Sequence, residues 1–377
     1  MSKVQIPPST ATVQVSIVDT TFGGYAPTAH FMGPPIDGFE TFRAVAYAFV
    51  ITHTDEKGTE RRVVFDLGTP KDLVNDFPPA VAAQLAQLSS NLTVAKNTSD
   101  VLSQGGLDLE SIEALIWSHA HPDHVGRPSL FPSSCDLLVG PGIKQAFFPG
   151  WPTIAESPVL EREFQGRQVR EVDFSSSNLK IGGLGAVDYF GDGSFYLLDA
   201  PGHAIGHMNA LARTTSDTFI LLAGDSFHHG SELRPHPGAA LPESVSFQGG
   251  KCCDTAVFKS IHPNTSGIEV PERYVKALQH PHGGCSQVPF HTISQKATGE
   301  TLSHDIEVTR ETLRAIQGFD ADPNIFVIAA HDATLYDVLE YLPKLANDWQ
   351  KKGWKAQTRW YFLEDLMPTF NGTGRLE

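Results

Sequence analysis

Four side chains that can bind a metal ion fall within six consecutive positions of this sequence. The pattern is His-x-His-x-Asp-His, and it runs from His119 to His124. Imidazole and carboxylate groups are the zinc ligands of catalytic metal sites, which keep one further position open for water. Zinc lowers the pKa of such a water to about 7, so hydroxide is present at neutral pH. The pattern therefore predicts a metal site rather than a loop that is rich in histidine by chance.

A complete metal site needs further ligands, which must come from distant parts of the chain. The cluster itself follows the apolar run 115–117, which is typical of a buried strand. Three more residues that can bind metal also follow strand-like runs, namely His203, Asp225 and His331. Open α/β sheets place their ligand sites in loops at the carboxyl ends of strands. One histidine after a strand is an ordinary loop residue, but three such positions beside the cluster predict a shared site.

The rest of the sequence must supply the strands and helices that position these loops. Alternating and β-branched runs predict strands, and the turn-prone residues between them predict hairpins and meanders. Periodic apolar residues predict helices, one of which is capped by Asp305. The predicted strands are 11–18, 44–52, 61–66, 113–117, 136–139, 169–173, 179–181, 185–190, 194–199, 207–213, 218–223 and 324–330, and the predicted helices are 79–90, 305–319 and 334–346.

We predict one elaborated domain that spans residues 1–377, because no repeat and no clear linker interrupts the chain. The periodicity fades from about residue 226 to residue 304, where Pro, Gly, His and Ser are frequent. A long irregular stretch of this kind is typical of a functional element. We therefore predict that 226–304 is an insertion or a substrate-facing lid.

The composition of the 377 residues excludes several classes of partner. Hydrophobic residues make up 41%, which is enough for a large core, and the net charge is −15. No basic run is present, so nucleic acid is not an expected partner. No apolar run is long enough to span a bilayer, and the first residues lack the apolar stretch of a signal peptide. With four cysteines and no Cys-x-x-Cys, we expect reduced thiols in a cytoplasmic protein that acts on a small molecule.

The order of the residues that can bind metal resembles the order found in the metallo-β-lactamase superfamily. The resemblance spans about residues 44 to 335, and it includes Asp66-Leu67-Gly68-Thr69 in addition to the ligands described above. It implies an α+β fold, the αββα sandwich, in which two mixed β-sheets pack face to face with helices on the outer faces. It also implies two zinc ions at one edge of the sandwich. Iron, manganese or cobalt would suit the same ligands.

The resemblance also implies a role for each residue. Asp66 would support the metal loops from behind the ligands, and Asp123 would orient a hydroxide and pass a proton to the leaving group. In the lactonase branch a tyrosine lies three residues after the bridging aspartate, and this chain has His228 there. His228 would replace that tyrosine or serve as a supporting or solvated histidine. The implied ligands are His119, His121 and His203 for the first metal, Asp123, His124 and His331 for the second, and Asp225 as the bridge.

The function that we expect is a zinc-dependent hydrolase that opens a small cyclic ester, as the lactonases of this superfamily do. A hydroxide that bridges the two metals would attack the carbonyl carbon. Asp225 stands where many antibiotic-degrading lactamases have a cysteine, which argues against that branch. The alternatives are a lactam or cyclic carbamate hydrolase, a thioesterase and, least favoured, a non-catalytic scaffold. The sequence also predicts that His207 is structural and that most histidines of the irregular stretch, among them His236, His291 and His304, lie at the surface.

Overall fold

The computed structural model describes residues 3–36, 38–88, 91–242, 244–246, 252–254, 287–296, 298–299 and 301–366. The strands in these residues are β1 Val13–Pro27, β2 Met32–Gly33, β3 Thr41–Thr54, β4 Glu60–Phe65, β5 Thr93–Val94, β6 Ile112–Ile116, β7 Asp136–Val139, β8 Val169–Glu171, β9 Lys180–Ile181, β10 Leu184–Asp188, β11 Phe195–Asp199, β12 Met208–Arg213, β13 Phe219–Leu222, β14 Ser244–Ser246, β15 Cys252–Asp254, β16 Thr292–Ile293 and β17 Ile325–Ile328. The α-helices are α1 Thr28–Phe31, α2 Pro79–Leu88, α3 Thr98–Gln104, α4 Pro122–Val125, α5 Ile143–Phe147, α6 Gly230–Leu233, α7 Ile306–Ala321 and α8 Trp354–Thr358. Short 3-10 turns lie at Leu109–Ser111, Pro128–Leu130, Glu161–Glu163, Phe174–Ser176, Ala333–Leu335 and Tyr361–Leu366.

Two mixed β-sheets form the centre of the fold. The first has seven strands in the order β5-β1-β3-β4-β6-β7-β8, and its strands are parallel from β4 onward. The second has six strands in the order β17-β13-β12-β11-β10-β9. This sheet is an antiparallel meander as far as β13, as the sequence predicts, and β17 then joins β13 in parallel. Parallel strands end at the same edge, so the loops that follow them come together there.

The apolar residues of the strands lie in layers that define an αββα sandwich. Phe49 and Phe65 of the first sheet and Leu197 and Ile220 of the second belong to one buried cluster between the sheets. The outer face of the second sheet packs against α7, and the outer face of the first sheet packs against α2, α3 and α5. Two sheets with helices outside are the architecture that the sequence predicts, and this fold class is confirmed.

The two helices predicted toward the end of the chain have different outcomes. Helix α7 forms as predicted, because Asp305 accepts hydrogen bonds from the N–H groups of Glu307 and Val308 at 3.1 Å and so caps its first turn. The prediction of a helix at 334–346 is wrong, since only the 3-10 turn Ala333–Leu335 forms there. Pro343 interrupts the helical pattern, and the N–H groups of Leu342 and Ala346 instead donate to carbonyls of β1.

The described parts of the irregular stretch lie against the sandwich. Strand β14 pairs with β15, and the two-residue strand β16 pairs antiparallel with β2, which follows the short helix α1. The remaining residues of the predicted 226–304 insertion lie outside the described part of the chain. Within the described ranges, no helix is long and apolar enough to cross a membrane.

Candidate metal centre

The residues that can bind metal lie where strands of both sheets end at one edge of the sandwich. Asp66 follows β4, the histidine cluster follows β6, and Asp225 and His331 follow the neighbouring strands β13 and β17. Backbone hydrogen bonds join the two sheets at this edge. The N–H of Met208 donates to the carbonyl of Ser118 at 2.7 Å, and the N–H of Tyr47 donates to that of Ala330 at 3.2 Å. The loops are therefore held at fixed positions relative to one another.

All seven predicted ligands converge, and they do so as two adjoining groups. Within each group, the ligand atoms lie within 4.8 Å of one another. In the first group, Nε2 of His203 lies 3.1 Å from Nδ1 of His121. In the second, Nε2 of His331 lies 3.3 Å from Oδ2 of Asp123. The groups are His119, His121, His203 and Asp225, and Asp123, His124 and His331.

Asp225 lies between the two groups and is 3% exposed. Its Oδ1 atom is 3.1 Å from Nε2 of His124, and its Oδ2 atom is 3.2 Å from Nε2 of His331. The same Oδ2 atom is 3.5 Å from Nε2 of His203 and 3.8 Å from Nε2 of His119. One carboxylate is thus close to histidines of both groups, which is the arrangement required of a bridging ligand.

Hydrogen bonds behind the histidines fix which ring nitrogen faces the centre. Nδ1 of His124 donates to Oδ2 of Asp66 at 2.8 Å, and Nδ1 of His331 donates to the carbonyl of Val45 at 2.6 Å. Each bond leaves Nε2 facing Asp225, with the other ring nitrogen bonded behind it, as in metal-binding histidines. Asp66 also accepts the N–H of Ser118 at 2.7 Å and adopts a positive φ of 61°. Asp66 therefore contacts both the ring of His124 and the backbone just before the histidine cluster, and its supporting role stays a prediction.

The donor set fits a divalent cation. Three buried atoms of the donor set have no hydrogen-bond partner among the described residues: Nε2 of His119, Nε2 of His124 and Oδ1 of Asp225. Buried polar atoms are nearly always satisfied, so unpaired atoms that face one another indicate a missing ligand. Neutral imidazoles and a carboxylate are the donors that zinc and related metals take. A divalent metal at this centre would supply the missing partner.

In the first group, the electrostatic environment favours the neutral form of the histidine rings, which is the form that binds metal. Burial lowers the pKa of His119 and His203 well below the usual value, and neighbouring histidines add to the effect. Burial raises the pKa of Asp225, but His124 and His331 outweigh it and hold that pKa well below its usual range. Asp225 is therefore ionised and can balance positive charge.

On the other side, protons and a metal ion compete for the same nitrogens. Burial lowers the pKa of His124, but the carboxylates of Asp225 and Asp66 outweigh it and raise that pKa well above its usual value. Burial also lowers the pKa of His331, but the carboxylate of Asp225 raises it by more, so that this pKa is about 9. Metal binding must displace protons from these two rings, so metal affinity rises with pH.

His228 borders the centre, where the structure brings it into contact with the predicted ligands. Its ring stacks on that of His331 with an interplanar angle of 4° and a centroid distance of 5.6 Å. Its Nε2 atom lies 3.5 Å from Oδ2 of Asp225. The ring centroid of Phe31, on α1, lies 4.7 Å from that of His228. No sequence pattern pointed to Phe31, because its place depends on the pairing of β2 with the distant β16.

His207 holds Asp225 through the backbone N–H of that residue. Its Nδ1 donates to the carbonyl of Ala200 at 2.7 Å, and its Nε2 accepts the N–H of Asp225 at 3.0 Å. Gly224, with a φ of +46°, is required here, because a Cβ atom would lie 2.8 Å from Nε2 of His207. The sequence interpretation of His207 as structural agrees with these contacts, but its link to Asp225 was missed.

Two histidines of the irregular stretch are not at the surface as predicted. His236 is fully buried, and its Nε2 lies 2.9 Å from Oδ2 of Asp320. His291 is also buried, and its Nδ1 lies 2.8 Å from Oγ of Ser231. Partners far along the sequence determine both positions. His304 is exposed as predicted, and His262, His280 and His282 lie outside the described residues.

Comparison with known proteins identifies the family. The model of the metallo-β-lactamase superfamily matches residues 45–252, and the chain belongs to this superfamily. A γ-lactamase, FDB1 of Fusarium pseudograminearum, is 40% identical over 383 residues that cover 98% of this chain and 87% of the relative. The metallo-hydrolase mfmC of Annulohypoxylon moriforme is 37% identical over 372 residues, which cover 97% of this chain and 90% of the relative. The protein is accordingly a metal-dependent hydrolase.

A solved structure shows the same fold. A quorum-quenching N-acyl homoserine lactone lactonase aligns with a TM-score of 0.52 over 89% of this chain and 99% of that chain. The two sequences are 12% identical, so the likeness concerns the fold.

Proposed function

We propose that this hydrolase opens a small cyclic amide, a lactam, by hydrolysis of the ring C–N bond. The observation that carries the proposal is the seven-residue centre around Asp225 in a chain that is 40% identical to a γ-lactamase over 98% of its length. Similarity over the whole chain includes the loops around the centre, and substrate preference depends on such loops. A cyclic carbamate has the same C–N bond beside a carbonyl and belongs to the same substrate class.

We further propose that the centre holds two zinc ions. His119, His121 and His203 would hold one ion, the second group would hold the other, and Asp225 would contact both. Two such ions supply Lewis acidity at the carbonyl oxygen and water that ionises near pH 7. The residues contribute the rest: they fix the ring nitrogens, exclude bulk water from the buried side and place Asp123 at the open side.

Asp123 is the group that we propose for proton transfer. Its side chain is 28% exposed, whereas the other acidic ligand, Asp225, is 3% exposed, so Asp123 is the carboxylate that a substrate can reach. When water adds to the carbonyl carbon and the C–N bond breaks, the departing nitrogen must take up a proton. Asp123 can accept a proton from the attacking water and deliver it to that nitrogen, which yields the open-chain amino acid.

A cyclic ester is the second candidate substrate. The fold is that of an N-acyl homoserine lactone lactonase, and a lactone carbonyl can be attacked in the same way as a lactam carbonyl. The lactone route needs less help from Asp123, because an alkoxide leaves more readily than an amide anion. A thioester is a third variant of the same acyl chemistry.

The proposal is tested with the full chain loaded with zinc. Ring opening of matched five-membered lactams, cyclic carbamates, lactones and thioesters is followed by mass spectrometry. We expect turnover of lactams with the wild-type protein and at least a thousandfold loss with Asp225→Ala. The matched control is Asp217→Ala at an exposed position, which should retain the wild-type rate. If the loaded wild-type protein opens none of these rings, the proposed function is wrong.

A further inference from the structure

The ring of Phe31 lies beside the metal centre, next to a side chain that borders Asp225. Its centroid is 4.7 Å from that of His228, and Nε2 of His228 is 3.5 Å from Oδ2 of Asp225. The His228 side chain is 10% exposed, and Phe31 is one of the residues that shield it. Phe31 itself is only half-buried, so part of it stays accessible to a ligand. A substituent that a bound substrate directs past His228 would therefore meet Phe31.

The ring of Phe31 is braced by a second aromatic ring. Phe42 is buried, and its ring stands edge-on to that of Phe31, with a centroid distance of 5.5 Å and an interplanar angle of 86°. A T-shaped pair of this kind is a favourable arrangement of aromatic rings. Phe42 belongs in turn to a buried apolar cluster that includes Met32 and Phe290. Because such clusters are close-packed, the ring of Phe31 has little room to withdraw on the Phe42 side.

The backbone of α1, which carries Phe31, is held by Ser294. The N–H of Ser294 donates to the carbonyl of Phe31 at 2.9 Å, and its Oγ donates to the carbonyl of Ala29 at 2.6 Å. These two bonds satisfy carbonyls at the end of the helix, which has only four residues and would not be stable alone. Directly after Phe31, β2 pairs with β16. Both the ring and the backbone of Phe31 are therefore restrained.

The segment that holds α1 also contacts a loop that carries a candidate ligand. Oγ1 of Thr301 donates to the carbonyl of Ser294 at 2.8 Å. The N–H of His304 donates to the carbonyl of His203 at 2.9 Å. The described residues of this segment thus connect α1 to the His203 loop. A wall that is tied to the ligand loops in this way cannot move aside for a larger substrate without breaking hydrogen bonds.

We propose that Phe31 is a specificity-determining residue that limits the bulk of the substituents on the lactam ring, and that Ser294 positions it. The inference rests on the proposed function and narrows its substrate class to compact rings. Extra atoms against a close-packed wall force side chains out of their preferred rotamers or shift the backbone, and both cost free energy. Truncation of Phe31 should therefore admit larger substrates instead of merely slowing the reaction.

The kinetic test compares five-membered lactams that carry hydrogen, isopropyl or cyclohexyl on a ring carbon, with the zinc-loaded full chain. One series places the group beside the carbonyl and the other beside the nitrogen. In at least one series, we expect kcat/KM of the wild type to fall at least about tenfold from hydrogen to cyclohexyl, and the fall to shrink below about threefold in Phe31→Ala. Phe31→Trp, which adds volume, should make the fall steeper.

Two further variants test the support of the ring and the specificity of the effect. Ser294→Ala keeps the ring of Phe31 but loses the bond to Ala29, and it should give an intermediate fall. Leu345→Ala, an exposed apolar position, is the control and should keep the wild-type profile. The proposal is overturned if the profile of Phe31→Ala equals that of the wild type in both series, or if the wild type shows no loss with bulk.

A binding measurement needs no lactam turnover and separates this proposal from the proposed function. Acetohydroxamate and benzohydroxamate bind zinc through the same two oxygen atoms but differ in bulk. Calorimetric titration of the zinc-loaded wild type should show weaker binding of benzohydroxamate, and this difference should disappear in Phe31→Ala. Equal relative affinities in the two proteins overturn the inference even if lactams are hydrolysed. The expected size preference without hydrolysis of any lactam would instead count against the proposed function.

Discussion

Nδ1 of His124 lies 2.8 Å from Oδ2 of Asp66, and both side chains are buried. This pair connects the end of β4 to the loop after β6, because the second oxygen of Asp66 accepts the backbone N–H of Ser118. One carboxylate thus sets both the path of the ligand loop and the tautomer of a ligand within it. Removal of its charge should affect metal binding more than the fold.

Asp66→Asn is expected to weaken binding of the metal on the His124 side by roughly 10–100-fold, the usual effect of losing a partner behind a ligand. The amide supplies a weaker acceptor for Nδ1 of His124, so the ring loses basicity and a fixed orientation. Competition with a chromophoric zinc chelator measures the change. Asp217→Asn, at an exposed turn, is the control, and equal affinities for the two variants would contradict the role of Asp66.

Asp123→Asn is expected to lower kcat by at least about 100-fold, since general acid–base groups contribute 10²–10⁴-fold. The side chain is partly exposed, so the melting temperature of the metal-free protein should change little. Steady-state kinetics with a lactam, together with metal analysis of the same sample, separates loss of proton transfer from loss of metal. Wild-type turnover by a fully loaded variant would rule out Asp123 as the proton-transfer group.

His207→Phe is expected to lower the free energy of unfolding of the metal-free protein by about 1–3 kcal/mol, because the buried N–H of Asp225 loses its acceptor. Urea unfolding followed by tryptophan fluorescence gives the difference. The matched control is His30→Phe at an exposed position. A loss no larger than in that control would show that His207 does not hold Asp225.

Removal of metal is expected to lower the melting temperature. A ligand present at a thousand times its dissociation constant stabilises the folded state by about 4 kcal/mol. Calorimetry in the presence of a chelator, followed by added zinc, measures the loss and its recovery. The effect should be smaller in Asp225→Ala, which lacks the residue that contacts both groups, and an equal effect in that variant would contradict the role of Asp225 in metal binding.

Asp320→Asn is expected to lower the free energy of unfolding by about 3–5 kcal/mol, because it leaves buried cations unpaired. The Asp320 carboxylate accepts two bonds from Arg234, at 2.7 and 3.1 Å, and contacts Arg359 and His236. Urea unfolding at pH 7 measures the difference. Asp217→Asn is the control, and a loss no greater than in that control would contradict the role of Asp320.

The same residue should make the fold sensitive to acid. Burial raises the pKa of Asp320, but Arg234 outweighs it and holds that pKa well below its usual value. The unfolded chain, with an ordinary pKa near 3.9, then binds more protons than the folded chain in acid. Stability from this group is present above that pH and is lost as the pH falls below it. The wild type should therefore lose stability more steeply than Asp320→Asn below about pH 5, and parallel curves would contradict this account.

The ligands could be predicted from the sequence because each belongs to a local pattern. Asp225 and His331 directly follow apolar strands that the sequence marks clearly, and parallel strands bring the residues after them to one edge. The hairpin of β3 and β4 and the capped helix α7 are local in the same sense. Short-range signals are sufficient for these elements.

The residues around the ligands could not be predicted, because their positions depend on long-range pairing. Phe31, which immediately precedes β2, contacts His228, and β2 is paired with β16 far along the sequence. The missing helix at 334–346 is a similar case. Its apolar residues have helical spacing, but Pro343 interrupts that spacing, and the N–H groups of Leu342 and Ala346 donate to carbonyls of β1.

Residues 231 and 291 are sixty positions apart, yet they are bonded to each other twice. The N–H of His291 donates to the carbonyl of Ser231 at 3.0 Å, and Nδ1 of His291 lies 2.8 Å from Oγ of Ser231. The two bonds thus tie α6 to the residue that precedes β16. Because loop-closure entropy changes only slowly with loop length, holding together residues this far apart in the sequence costs little more than closing a much shorter loop.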